Sequence, residues 1–176
     1  EASYLYNGAN VASGTVAGFD ASVSAKFEDC INLGDISANS YTADYEKIPS
    51  TDKVYGFSSI DEYNPPTFTN CIDAGSANYP FTYDDDITVT YVTCYYNSDS
   101  YGSNYNTDGL SCMSSNDLCI QEKTDFSNWS YDSSNSRYPL PDIEENFSNE
   151  IWQEVVAKAT LPKGTRGNPF TTWEEL

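Results

Sequence analysis

The stretch SGTVAGFDASVSAKFEDCINLGDIS, residues 13–37, carries the clearest pattern in the chain. From Ala17 to Phe27 every second residue is apolar, and the residues between them are polar or glycine. A period of two puts one set of side chains on a buried face and the other in solvent, so the stretch predicts a half-buried β-strand. The twelve residues before it, EASYLYNGANVA, hold no clear turn or helix signal, and their role is the first question that the sequence raises.

Two further regions have readable patterns. The stretch FTYDDDITVTYVTCYY, residues 81–96, is rich in β-branched and aromatic residues from Ile87 onward and predicts a second strand region. From Asn97 to Asn116 the composition is dominated by Ser, Asn, Tyr, Gly and Asp, which predicts a long surface loop or a loosely held hairpin.

One helix is predicted near the end of the chain, over about residues 142–160. Asp142 followed by Glu145 forms a capping-box pattern, and Pro162 and Gly164 end the helical region. Apolar residues recur there every four positions, at Ile143, Phe147, Ile151, Val155 and Ala159, and they are joined by Trp152 and Val156. We expect this stripe to pack against the β-domain or a neighbouring subunit, because so wide an apolar face is unfavourable in water. Strands followed by one helix predict a mainly β chain, with an immunoglobulin-like β-sandwich as the expected architecture.

The charge balance narrows the range of partners. The chain has 176 residues, 27 of them acidic and 8 basic, for a net charge of −19. Phosphates would be repelled, so nucleic acid is not an expected partner. No apolar run approaches the length of a membrane span, so membrane insertion is not expected either.

Five cysteines and no histidine favour disulfides over a zinc site, since no C-x-x-C pair is present. Disulfides imply an oxidising compartment, and we therefore expect a secreted or cell-surface protein. A chain that opens on Glu is typical of a processed product, and the helix-start pattern in TTWEEL indicates a longer precursor.

Catalytic chemistry finds little support in the residues. Without histidine there is no His-based triad or general base. A glycosidase would need a carboxylate pair. The candidates, Asp84–Asp86 and Glu144–Glu145, are better explained as a turn and as the first turn of a helix. We expect no enzyme.

A calcium site is also disfavoured. Asn104, Asn106 and Asp108 precede Gly109 with the spacing of an EF-hand loop, but Ser115 stands where the closing glutamate belongs. We expect neither a metal ion nor a cofactor.

The sequence indicates two relations to glycans, as a covalent modification and as a bound ligand. Asn128 and Asn146 head N-x-S sequons and are candidate glycosylation sites. Tyrosines also crowd one loop region and offer stacking surfaces for a sugar, at Tyr95, Tyr96, Tyr101 and Tyr105. A secreted, disulfide-bonded binding module for a carbohydrate or a cell-surface ligand is therefore the alternative function.

The N-terminal part resembles chaperone–usher pilins over about residues 1–75. The similar features are Gly14-Thr15-Val16, the alternation that follows, Cys30, the NLGDIS run at residues 32–37, and Asn70-Cys71, which lies 41 residues after Cys30. The resemblance implies an incomplete immunoglobulin-like domain whose sheet is completed by the N-terminal extension of another subunit. It also implies a Cys30–Cys71 disulfide. The C-terminal helix, the three further cysteines and the high tyrosine content depart from the pilin pattern.

Carried onto this chain, the resemblance makes residues 1–12 the donor strand, residues 13–123 the immunoglobulin-like domain, and residues 124–176 a C-terminal appendage. The pocket-filling donor side chains would be Tyr4, Leu5, Tyr6 and Val11. Cys112 and Cys119 are close enough in sequence to pair with each other, and Cys94 with one of them is the competing arrangement. The expected function is a structural subunit of an extracellular, pilus-like homopolymer assembled by donor-strand exchange.

Overall fold

The computed structural model describes residues 16–17, 26–37, 39–41, 47–49, 54–58, 63–82 and 86–172. The chain divides into two compact units, residues 1–112 and residues 113–176.

In its described residues the first unit contains eleven strands and one short helix, and the last strand ends at the first residue of the second unit. The strands are β1 Val16–Ala17, β2 Lys26–Glu28, β3 Ile31–Asn32, β4 Asn39–Tyr41, β5 Lys47–Pro49, β6 Val54–Tyr55, β7 Thr67–Thr69, β8 Ile72–Asp73, β9 Thr90–Val92, β10 Cys94–Asn97 and β11 Leu110–Met113, and the helix is α1 Ser98–Tyr101.

Successive parts of the first unit stack in parallel and in register. Strands β2, β7 and β9 form one parallel sheet, in which Phe27, Phe68 and Tyr91 occupy the same position. Strands β3, β8 and β10 stack in the same direction, followed by β11, and β1 pairs in parallel with β6. A chain that returns repeatedly to the same faces in the same direction forms stacked coils, which is the architecture of a parallel β-solenoid. The three coils begin at β2, β7 and β9. The antiparallel hairpin of β4 and β5 lies in the first coil, between β2 and β7.

A short sequence motif repeats in the three coils and explains why they stack. It reads KFEDCI at residues 26–31, TFTNCI at 67–72 and TYVTCY at 90–95. The fourth residue of each copy has a left-handed backbone, with φ of 51° at Asp29, 52° at Asn70 and 54° at Thr93. Asp and Asn tolerate this conformation, and the Asn70 amide donates a 3.2 Å hydrogen bond to the Asp29 carboxylate. The corner therefore turns each coil from one sheet to the next.

Aromatic rings fill the inside of the coils. The ring of Phe68 stacks on that of Phe27, with centroids 5.0 Å apart, and on that of Tyr91 at 5.4 Å. A second stacked pair, Phe57 and Phe81, lies 4.6 Å apart and meets Phe68 edge-on. The three phenylalanines at 57, 68 and 81 are fully buried, so this aromatic column is the centre of the core.

The second unit is small and mixed. Its elements are the helices α2 Ser115–Leu118, α3 Gln121–Thr124 and α4 Asn149–Ala159, a 3-10 turn at Glu144–Asn146, and the antiparallel strands β12 Trp129–Ser130 and β13 Leu140–Pro141. Phe126 and Trp129 pack ring against ring at 4.8 Å, and both are buried together with Leu140 and Leu161.

The expectation of a mainly β chain with a C-terminal helix is confirmed. The described sheets, however, are parallel and mixed and do not form a clear immunoglobulin sandwich. Such a sandwich requires antiparallel strands of ordinary length, whereas these strands are two to four residues long and end at repeated corners. The strand region predicted around residues 87–94 is accordingly two strands in different sheets, separated by the corner at Thr93. Most of the strand predicted from Ala17 to Phe27 lies outside the described residues.

The C-terminal helix also differs in detail from its prediction. Its N-cap is Ser148, whose hydroxyl accepts a hydrogen bond from the Ile151 amide, and not Asp142, because a 3-10 turn precedes the helix. Trp152 and Ala159 are buried, while Ile151 remains 50% exposed. The predicted apolar set is therefore buried at Trp152 and Ala159 but exposed at Ile151, and its packing against the β-domain or a neighbouring subunit stays a prediction.

The corner at Thr93 generates a stability prediction. A β-branched residue in the left-handed region is strained by roughly 1–2 kcal/mol, and Asn is tolerated there. Because the Thr93 side chain is exposed, we expect Thr93→Asn to raise the free energy of unfolding by about 1 kcal/mol.

Urea denaturation measures this change. Thr90→Asn is the matched control, since Thr90 is exposed but lies in β9 and Asn is a poor strand former. A Thr93→Asn variant that is no more stable than the Thr90→Asn variant would contradict the assigned corner.

Candidate functional site

A cavity of about 390 Å³ lies in the first unit. Its walls come from three segments: the turn at residues 80–82, the approach to β9 at residues 87–91, and the loop between α1 and β11. The lining residues are Pro80, Thr82, Ile87, Thr88, Val89, Tyr91, Asn104, Tyr105, Asn106, Thr107 and Leu110. The volume falls in the range of small-ligand sites.

The loop that forms one wall is held in place by hydrogen bonds to the coils. The Tyr96 hydroxyl accepts a bond from the Tyr105 amide and donates one to the Asn106 side-chain oxygen, both at 3.1 Å. The same Asn106 oxygen accepts a 2.7 Å bond from the Cys112 amide. Tyr96 itself is fully buried in the core. These bonds attach the wall to the neighbouring strands β10 and β11.

The lining is polar but uncharged. Among the described residues that line the cavity there is no acidic or basic side chain. The rim offers the exposed side chains of Thr88, Asn104 and Thr107, and the floor offers Val89 and Leu110. Amides and hydroxyls around an apolar floor are suited to a neutral ligand that carries many hydroxyl groups.

Thr82 contributes a buried hydroxyl group to the cavity wall. Its side chain is buried, and among the described residues its hydroxyl has no hydrogen-bond partner, although it belongs to the cavity wall. A buried hydroxyl without a partner costs free energy that a hydrogen-bonding group in the cavity would recover. The neighbouring Tyr91 hydroxyl is already occupied, since it donates a 2.9 Å bond to the Thr82 carbonyl.

Of the four tyrosines predicted to form a sugar-binding surface, only Tyr105 lines the cavity. Tyr96 is a core residue, and the Tyr101 hydroxyl donates a 3.1 Å bond to the Asp73 carboxylate. Tyr95 is half-buried in β10. The structure therefore does not bring the four tyrosines together on one exposed face.

The other predicted sites can be placed one by one. The side-chain oxygen of Asn106, in the EF-hand-like run, accepts hydrogen bonds from Tyr96 and Cys112. The described residues contain no group of three or more acidic or cysteine side chains arranged to hold a metal. Glu144 and Glu145 are exposed in the 3-10 turn, and Asp86 is exposed, while Asp84 and Asp85 lie outside the described residues. The sequon residues Asn128 and Asn146 are both exposed.

The donor-strand residues Tyr4, Leu5, Tyr6 and Val11 lie outside the described part of the chain. No described helix has both the length and the apolar character needed to cross a bilayer.

All five cysteines are thiols in this structure. Cys30, Cys71 and Cys94 occupy the same position in the three coils. Cys119, in the second unit, is buried, and burial raises the pKa of its thiol to about 12. The Cys112 sulfur accepts a 3.5 Å hydrogen bond from the side-chain amide of Asn106. The Cys30–Cys71 and Cys112–Cys119 disulfides remain predictions.

A buried carboxylate that sequence reasoning missed lies between the coils. Asp73 is fully buried, and its oxygens accept bonds from the Asn32 amide at 3.0 Å, the Phe81 backbone amide at 3.0 Å and the Tyr101 hydroxyl. A Cβ on Gly56 would lie 1.7 Å from it, so only glycine fits there. All of these named donors are neutral, and burial therefore raises the pKa of Asp73 to about 6.

The 41-residue spacing was the available signal for this arrangement. It joins Asp29 to Asn70, Asn32 to Asp73 and Asp35 to Ser76, and each of these pairs is hydrogen-bonded through its side chains. An internal-repeat comparison of KFEDCIN with TFTNCID would have placed these residues side by side.

Asp73 predicts how stability depends on pH. Its pKa is about 6 in the folded chain and 3.8 as the ordinary value, so the protonated form favours folding. This contribution is complete below pH 4, falls as the pH rises towards 6 and is absent above it, for a change of about 3 kcal/mol. In Asp73→Asn the side chain is neutral at every pH, so we expect this decline to disappear.

Urea denaturation at half-unit steps from pH 4 to pH 7 tests the prediction, with the exposed Asp108→Asn as the matched control. The difference in slope between wild type and Asp73→Asn is the quantity to compare, because the other carboxylates are common to both. Equal slopes in the wild type and the Asp73→Asn variant would show that Asp73 does not carry the predicted proton.

No family model matches the chain, and neither the curated proteins nor the solved structures include a significant match.

Proposed function

We propose that the chain is an extracellular, non-enzymatic binding module that takes a neutral carbohydrate in the cavity between the turn at residues 80–82 and the loop at residues 104–107. The observation that carries the proposal is the lining, which offers amides, hydroxyls and two tyrosines and, among the described residues, no charged side chain.

The charge of the whole chain favours the same class of ligand. With a net charge of −19, the protein repels anionic ligands at long range, and the described lining of the cavity offers a cation no charged partner. A neutral oligosaccharide meets neither obstacle. Its hydroxyls pair with amide and hydroxyl groups such as those of Asn104 and Thr107, and its apolar ring faces suit Tyr105 and the floor of the cavity.

Asn104 gives the test, because its side chain is exposed at the rim. We expect Asn104→Ala to weaken binding about fivefold, which corresponds to one hydrogen bond of roughly 1 kcal/mol. Saturation-transfer NMR against gluco-, manno-, galacto- and N-acetylglucosamine oligosaccharides identifies the ligand, and calorimetry measures its affinity.

Ser103→Ala is the matched control, since Ser103 is the exposed neighbour of Asn104 and does not line the cavity. It should bind as the wild type does. Absence of binding to every neutral oligosaccharide at millimolar concentration, or equal loss in the Ser103→Ala and Asn104→Ala variants, would overturn the proposal.

We propose a second candidate function, a structural subunit that assembles into an extracellular fibre by strand addition. The resemblance to pilins implies an immunoglobulin-like sandwich that is completed by the N-terminal strand of a neighbour. The specific observation in favour of strand addition is β9, which is the last strand of its sheet in the described part of the chain and carries Val92 at 48% exposure. An edge strand of this kind is a template for another chain.

Removal of residues 1–12 tests this second function. We expect the full chain to form filaments in negative-stain microscopy and the shortened chain to remain monomeric, because the main-chain bonds of the donor would be lost. A synthetic peptide of residues 1–12 should then bind the shortened chain, and a scrambled peptide should not. Filaments from the shortened chain, or a monomeric full chain, would contradict donor-strand assembly.

A further inference from the structure

The three coil cysteines form one column. The amide of Ile72 donates to the Cys30 carbonyl at 2.9 Å, and the amide of Tyr95 donates to the Cys71 carbonyl at 2.9 Å. Cys71 therefore lies directly between Cys30 and Cys94 in the parallel ladder. Cys71 and Cys94 are buried in the aromatic core, and Cys30 packs against it from a half-buried position.

The three side chains have the same orientation. Each thiol donates to the carbonyl two residues before it: Cys30 to Glu28 at 3.2 Å, Cys71 to Thr69 at 3.2 Å and Cys94 to Val92 at 3.5 Å. Because the rotamer repeats from coil to coil, the sulfurs stack one above another. Interaction with the neighbouring Cys71 thiol lowers the pKa of Cys30 and of Cys94, and interaction with both neighbours raises the pKa of Cys71.

Strand spacing decides which pairs can be bridged. Neighbouring strands lie about 4.8 Å apart, within the separation of about 4.4–6.8 Å between Cα atoms that a disulfide spans. Cys30 and Cys94 are two spacings apart, roughly 9.6 Å, which is too far for a bond. Cys71 is thus able to bond with either neighbour but only with one at a time.

We propose that the column is a movable disulfide site, in which Cys71 is bonded alternately to Cys30 and to Cys94 while the third cysteine remains a thiol. A low-molecular-weight disulfide such as oxidised glutathione supplies the oxidation. It accepts two electrons from two protein thiols and leaves as two thiol molecules, and the protein gains one disulfide. The half-buried Cys30 is the point of entry, so the Cys30–Cys71 bond forms first.

The bond then moves by exchange without a net change in oxidation. The Cys94 thiolate attacks the Cys71 sulfur, a Cys71–Cys94 bond forms, and the Cys30–Cys71 bond breaks. Cys30 leaves as a thiolate and takes up the proton that Cys94 released. The reverse attack by Cys30 restores the first isomer.

Disulfide mapping of the full chain tests the proposal. The protein is oxidised with oxidised glutathione, quenched in acid, blocked with a maleimide and digested without reduction. Among the three cysteines of the column we expect two linkages in the wild type, Cys30–Cys71 and Cys71–Cys94. A Cys30→Ser variant should keep only the second, a Cys94→Ser variant only the first, and a Cys71→Ser variant neither. Cys112→Ser, outside the column, should leave the linkages of the column as they are in the wild type.

The wild type alone tests the movement, so the result does not depend on how the variants fold. Each isomer is separated in acid, returned to pH 8 without oxidant and mapped again after several hours. We expect either isomer to return to the same mixture. An isomer that persists unchanged, a Cys30–Cys94 bond, or a bond from Cys71 to Cys112 or Cys119 would overturn the proposal.

Discussion

The ring of Phe68 lies between the rings of Phe27 and Tyr91, and this stack fixes the register of the first unit. Shifting one coil by a single residue would turn its aromatic ring out of the core, because successive side chains of a strand point to opposite faces. The same register places Cys71 between its two neighbouring cysteines and Asn70 beside Asp29. The aromatic column, the cysteine column and the hydrogen bond between Asn70 and Asp29 are therefore consequences of one repeated motif.

Both proposed sites depend on that register in different ways. The cavity wall is anchored through Tyr96, a buried residue of β10, so the loop at residues 104–107 is positioned by the coil to which it is hydrogen-bonded. The cysteine column needs only the vertical spacing of the coils. Asp73 bonds to Asn32 of the neighbouring coil and links the stacking to pH through its raised pKa.

Sequence reasoning predicted the strand-forming composition and the C-terminal helix, and one of its four loop tyrosines, Tyr105, lines the cavity, but it missed the coils. Strands of two to four residues are too short for alternation to show their direction, and the residues at 87–94 looked continuous although Thr93 turns the chain there. The 41-residue separation of Cys30 and Cys71 resembled a pilin disulfide, whereas the same interval relates neighbouring coils across three hydrogen-bonded pairs. The Asp73 carboxylate and the cavity require contacts between distant segments, which periodicity within one segment does not contain.

Nuclear Overhauser contacts between β2 and β7 test the stacked coils most directly, because they report strand direction in solution. The account predicts contacts that run in the same direction along both strands, from Lys26 with Thr67 to Glu28 with Thr69, with Phe27 opposite Phe68. The reverse order, with Lys26 near Thr69 and Glu28 near Thr67, would mean an antiparallel pair and would contradict the parallel solenoid on which both proposed sites are built.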